Sequence, residues 1–172
     1  MDFNLNDLPL IGQGSHGRVY RLDEHRCLKI CRTDKHIALE YEILQRAAKY
    51  PQFARVYECE GNYMIREYFD GPNLGDYLKQ HGFNKDIAAQ MLEILDIFKQ
   101  LGFNRWDCRF SHIIVTEGGK LRVIDPTNNM KKVALYPRKM MNGLKKLGYE
   151  QQFLDYVKEV RPDYYALLTK GP

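Results

Sequence analysis

Along the first seventy residues apolar and polar positions alternate in short runs, the period-two pattern of half-buried strands. Leu10 and Ile11 lead into Gly12, Gly14 and Gly17; Val19, Tyr20 and Leu22 follow, and Asp23-Glu24-His25 marks a turn. Residues 26–31 alternate again, with Leu28 and Ile30 on one face and Lys29 on the other. A helix is expected over residues 37–48, where Ile37, Tyr41, Leu44 and Ala48 recur at helical spacing ahead of Pro51. Two more strands, residues 54–59 and 63–68, flank the turn pair Gly61-Asn62.

From Gly71 the period lengthens to that of helices. Residues 73–80 predict a short helix ended by Gly82, and Asn84 is a side-chain cap for a long one running to Leu101. Ile87, Met91, Ile94, Leu95 and Phe98 form its apolar stripe, and Gly102 stops it. Residues 113–115 and 121–124 predict a β pair around a Glu117-Gly118-Gly119 turn; helices follow over residues 138–147 and 151–160 and after Pro162. The boundary near Gly71 predicts one α+β domain over residues 1–172, with a β-rich lobe (1–70) and a helical lobe (71–172).

Composition narrows the class. The chain has 172 residues, 44% hydrophobic and 28% charged, the mix of a folded protein rather than a disordered tail. No run approaches the ~18 apolar residues of a membrane span. The first ten residues carry Asp2 and Asp7 without a basic start or apolar core, so no secretory signal is expected and the location expected is cytoplasmic. The net charge of +4 is uneven: residues 1–125 hold 17 basic against 18 acidic groups, residues 126–172 hold 9 against 4. A basic C-terminal region is either a solvated helical surface or a footprint for a partner protein or a phosphate-bearing partner. No tight basic cluster with interleaved aromatics accompanies it, so nucleic acid is not an expected partner. Cys27, Cys31, Cys59 and Cys108 lack C-x-x-C spacing and are expected as reduced thiols, with a metal pair at Cys27 and Cys31 as the alternative.

Gly12-Gln13-Gly14-Ser15-His16-Gly17-Arg18-Val19 fits G-x-G-x-x-G-x-V, in which glycines let backbone N–H groups approach phosphate oxygens. The run leads into a strand rather than a helix, and a lysine follows on the next strand, in Cys27-Leu28-Lys29-Ile30. This excludes a dinucleotide fold and a P-loop and leaves a hairpin lid. Far downstream, Asp107-Cys108-Arg109-Phe110-Ser111-His112 precedes an apolar strand, and Asp125 stands within Val123-Ile124-Asp125-Pro126.

In their order, these motifs resemble the protein-kinase-like superfamily, in a compact bacterial form, over about residues 8–130. The resemblance implies a bilobal kinase-like fold with a small antiparallel N-lobe, one helix and a reduced helical C-lobe. It further implies ATP and Mg2+ bound in the cleft and transfer of the γ-phosphoryl group to a hydroxyl, in the manner of serine/threonine kinases. Ile11, Gly12, Gly14, Gly17 and Val19 would cover the nucleotide. Lys29 would pair with its α and β phosphates, and Glu40 would hold Lys29, with Glu42 as the other candidate. The backbone of Glu67 and Phe69 would meet the adenine edge. Asp107 would accept the hydroxyl proton and Arg109 would steady the transferring group. Asp125, with His112 at the second metal position, would hold Mg2+. Taken singly, Asp107 also fits a structural ion pair with its neighbours, and Lys29 a strand lysine snorkelling to solvent.

Four departures from the family pattern stand out. His112 replaces an asparagine, and Mg2+ prefers oxygen. Arg105-Trp106 replaces the His-Arg before the catalytic aspartate, so control by a phosphorylated activation loop is not expected. Pro126-Thr127 follows Asp125, and the short remainder is closer to atypical relatives such as RIO and Bud32 kinases and small-molecule phosphotransferases. Arg66, at the back of the adenine pocket, either competes with Lys29 for Glu40 or points to solvent. The acceptor is then a protein or a small-molecule hydroxyl, and the alternative function is a catalytically impaired, nucleotide-binding regulatory module.

Overall fold

The computed structural model describes residues 4–14, 17–127 and 133–171; Asp2, and Ser15 and His16 of the glycine run, lie outside them. The chain divides into two compact units, Met1–Asp70 and Gly71–Pro172. The fold is mixed α+β, with an N-terminal antiparallel sheet and a mainly helical C-terminal part. Among the described residues no helix is long and apolar enough to cross a membrane.

The first unit is a five-stranded antiparallel sheet of β1 (Leu10–Gln13), β2 (Gly17–Arg21), β3 (Arg26–Cys31), β4 (Val56–Glu60) and β5 (Tyr63–Glu67), in the order β1-β2-β3-β5-β4. Strand alternation sorts side chains cleanly between its faces. Tyr20, Leu28 and Ile65 form a buried cluster on one, with Leu8, Leu22, Ile30 and Tyr63 packed around them. The other carries Val19, Lys29 and Met64 in one cross-strand row and is covered by α1 (Asp34–Arg46), which packs on β3, β4 and β5.

Helix α1 starts three residues earlier than its apolar spacing predicts and is rotated. The buried positions are Ile37, Glu40, Ile43 and Leu44, with Ala47 just beyond; Tyr41 is 39% exposed and Ala48 exposed. The stripe of Ile37, Tyr41, Leu44 and Ala48 therefore shifts toward a glutamate, which an apolar pattern cannot register. The hairpin between β1 and β2 closes with Gly14 N–H donating to the Gly17 carbonyl at 3.0 Å. A Cβ at Gly17 would lie 2.1 Å from the Ile30 carbonyl oxygen, so β2 and β3 pair this closely only around a glycine.

The second unit is built on α3 (Lys85–Gln100), capped by the Asn84 side chain as its sequence predicts. Before it lies α2 (Leu74–His81), capped by Asn73. The hairpin of β6 (Ile113–Thr116) and β7 (Lys120–Val123) is pinned to α3 by Gln90, whose amide donates to the Gly119 carbonyl and accepts from Leu121 N–H, both at 2.9 Å. Helices α4 (Arg138–Leu147), α5 (Glu150–Val160) and α6 (Pro162–Lys170) complete it. Arg161 and the Tyr164 hydroxyl, at 2.6 and 2.9 Å from the two oxygens of Asp96, tie α6 to α3. Phe98, Phe153, Leu74, Leu78, Met91 and Ile94 fill the core.

Candidate functional site

In the first unit the chemistry centres on a buried carboxylate. Lys29 Nζ donates to Glu40 Oε2 at 2.5 Å, with Lys29 7% and Glu40 1% exposed, while Glu42 is exposed. Lys29 is thus buried against α1 rather than snorkelling from an edge. Arg66 is 5% exposed, and its Nε lies 3.7 Å from Glu40 Oε1, an oxygen with no hydrogen bond of its own. The register explains the meeting: Lys29 pairs with Met64 and Cys27 with Arg66, so both cations leave the helix-facing side of the sheet diagonally to each other. Arg66 therefore shares Glu40 with Lys29 instead of pointing to solvent. An ionised glutamate at a helix position otherwise lined by isoleucine and leucine persists only with such compensation.

The glycines divide into two kinds. Gly17 is demanded by the sheet. At Gly12 a Cβ would find ordinary contacts with Val19 at 3.6 Å, and at Gly14 nothing within 4 Å. The fold itself does not require glycine at these two positions. Ile11 is 40% exposed, and Val19 is half-buried in the row with Lys29. Phe69 is buried, and the Glu67 carbonyl already accepts from Arg66 Nη1 at 3.3 Å and from the Cys27 thiol at 3.8 Å. A cavity of about 270 Å³ beside the glycine turn is lined by Arg18, Tyr20, Ile30 and Arg32. Tyr20 and Ile30 lie on the sheet face opposite Lys29, Gly14, Gly17 and Cys31 take part in the lining as well, and neither Lys29 nor Glu40 belongs to it.

The second unit holds its own buried carboxylate. Asp107 is 4% exposed, and its Oδ1 accepts from the backbone N–H groups of Lys139 at 2.7 Å and Met140 at 3.3 Å. Those amides belong to the first turn of α4, whose local cap position is Pro137 and has no side-chain cap. Asp107 is therefore a cap supplied from 32 residues away. Its Oδ2 makes no hydrogen bond and lies 3.9 Å from Arg105 Nε.

Arg109, exposed, opens the 3-10 turn Phe110–His112 that leads into β6. The His112 carbonyl accepts from Ile124 N–H at 2.9 Å, which sets His112 one ladder step from Asp125. Asp125, half-buried, has φ of 53° and is the one non-glycine residue in the left-handed region among those described. Between these groups the Cys108 thiol is pushed up to about 12 by burial, then by the Asp107 and Asp125 carboxylates. It is a protonated, inert thiol. The pattern reading missed Lys139, although Pro137 ahead of a helix with no local cap is a signal that an acceptor must come from elsewhere.

The donor set can be weighed against Mg2+. Asp125 offers the hard oxygen that this ion takes, and Mg2+ is usually held by one or two carboxylates together with substrate phosphates. An imidazole at His112 is a poor Mg2+ ligand. Among the described residues no group of three His, Cys, Asp or Glu side chains gathers as a metal cage. Asp125 fits as a single carboxylate ligand; His112 does not add to it.

No family model matches this chain. It is 31% identical over 128 residues to the protein named "Putative serine/threonine-protein kinase YrzF" of Bacillus subtilis (strain 168), a match that covers 69% of this chain and 58% of that protein. The chain thus spans about three fifths of the length of this curated relative. The similarity links the chain to kinase-like proteins in general, and the N-terminal sheet followed by a helical part is an arrangement of that general kind.

Proposed function

We propose that this chain is an ATP- and Mg2+-dependent phosphotransferase of the serine/threonine-kinase type, resembling the short-lobed RIO and Bud32 kinases and acting in the cytoplasm. The observation that carries the reading is the buried Lys29–Glu40 pair in one row with Val19, next to a hairpin with two glycines the fold does not need. Glycines spared by the fold suit a loop whose amides lie against phosphate oxygens. Lys29 takes the α and β phosphates, held in place by Glu40, and the Glu67 and Phe69 backbone meets the adenine. When bound, Mg2+ held by Asp125 supplies positive charge to the β and γ phosphates. The acceptor oxygen attacks the γ-phosphorus as the bond to the β-phosphate oxygen breaks and ADP departs; the hydroxyl proton passes to Asp107. Arg109 steadies the transferring group.

A second reading is favoured by one observation: the Asp107 side chain is 1% exposed, and one of its oxygens caps α4. On this reading the chain binds nucleotide without transferring phosphate and serves as a regulatory module. Radiolabelled ATP with Mg2+ separates the two. The first expects label on a hydroxyl acceptor, lost in Asp107→Asn while ATP binding persists. Equal turnover in that variant overturns the role given to Asp107, and ATP binding without any transfer by the wild type selects the second reading.

A further inference from the structure

Around Asp107 the second unit gathers more positive charge than phosphoryl transfer by Arg109 uses. Lys139 begins α4, with its backbone N–H 2.7 Å from Asp107 Oδ1, and Arg105 Nε stands 3.9 Å from Oδ2. Both residues are half-buried. The packing of α4 fixes which helix face Lys139 occupies. Phe110 lies so close on Gly143 that a Cβ there would come within 2.8 Å of the ring. Lys139 is one turn earlier on the same helix face, which brings it alongside the Asp107–Arg109 stretch. The electrostatics agree: burial, then the guanidiniums of Arg109 and Arg105, lower the Lys139 ammonium from its ordinary value, and Asp107 opposes them less strongly. Arg105 thus flanks a carboxylate that already serves two helix amides, and the charges of Arg109 and Arg105 are both felt at Lys139. The sequence from residue 126 onward carries the same sign, with 9 basic against 4 acidic groups.

We infer that Lys139, backed by Arg105, forms an anion subsite for the phosphate acceptor: the hydroxyl compound brought to Asp107 carries a carboxylate or phosphate of its own beside that hydroxyl. This rests on the phosphotransferase reading and adds the acceptor's chemistry to it. Lys139 is a positioning residue here; Arg109 remains with the transferring group. The anion has two sources, an acidic protein segment or a small phosphorylated alcohol, and a basic protein is a poor acceptor on either.

Direct binding tests this without requiring turnover. A fluorescent serine peptide flanked by glutamates is titrated with the full chain, beside its lysine-flanked twin, with glycerol 3-phosphate and glycerol as competitors. The glutamate peptide or glycerol 3-phosphate is expected to bind the better of its pair and to weaken as salt rises. Lys139→Gln is expected to raise that Kd about fivefold, the size for one partly exposed charge pair, and Lys139→Arg to restore it. The backbone N–H that meets Asp107 survives in both variants, so α4 keeps its cap. Binding of the peptide alone assigns the subsite to an acidic protein segment, and competition by glycerol 3-phosphate alone to a small phosphorylated alcohol. Equal binding of the lysine twin, an unchanged Kd in Lys139→Gln, or binding of neither anionic probe overturns the subsite. A chain that passes this test yet transfers no phosphate keeps the subsite and loses the phosphotransferase reading; one that phosphorylates neutral and acidic peptides equally does the reverse.

Discussion

Glu40 and Asp107 are both carboxylates removed from water, and the two units solve that problem differently. Glu40 sits among isoleucines and leucines and is compensated by the side chains of Lys29 and Arg66, which reach it from neighbouring strands. Asp107 is compensated mainly by main-chain amides at the start of α4. Side-chain cations on long stems can turn toward an incoming phosphate and back, whereas amides fixed in a helix cannot. The first arrangement therefore suits a place where ligand charge comes and goes. The second anchors one segment to another and holds the basic residues around it in position.

The comparison breaks first at Glu40. Glu40→Ala leaves two buried cations facing each other, a change worth about 3–5 kcal/mol. Urea denaturation should show that loss, and should show Lys29→Met and Arg66→Met each costing less, because either variant leaves Glu40 one partner. A Glu40→Ala variant as stable as the wild type would mean that the pair is solvated rather than structural. Asp107→Ala should cost about 1–2 kcal/mol, the range for a lost helix cap, and should be local. Hydrogen exchange at the Lys139 and Met140 amides reports it; unchanged protection there would remove the capping role. The finest test separates the glycines. Gly17→Ala, with its Cβ forced against the Ile30 carbonyl, should destabilise by about 1–3 kcal/mol. Gly14→Ala should stay within about 0.5 kcal/mol yet weaken ATP binding; loss of stability without loss of binding would make the hairpin structural alone.

Much of the fold is legible in the chain because strands and helices advertise themselves by period. The five N-terminal strands, the Asn84 cap and the β6–β7 pair all follow from local pattern, and the structure shifts their ends by a residue or two. The phase of α1 departs from its apolar pattern for a physical reason. A glutamate on the buried face is invisible to hydrophobic periodicity, which runs through Tyr41 instead. The kinase-like spacing of motifs pointed to Lys29, Glu40, Asp107 and Asp125 as chemistry-bearing residues and to Glu40 as the partner of Lys29, but not to the helix amides that Asp107 caps.

What the residues determined by themselves is therefore the order of elements and the short-range devices: alternation, caps, turns, and a glycine where two strands crowd. Such features depend on neighbours a few positions apart, which a chain carries with it before it folds. Only the tertiary structure decided that Arg66 would share Glu40 with Lys29, that Asp107 would cap a helix 32 residues away, and that the Lys139 amide would come to meet Asp107. Those meetings depend on strand register and helix packing, and the energy of burying a charge makes each partner obligatory once the chain has closed around it.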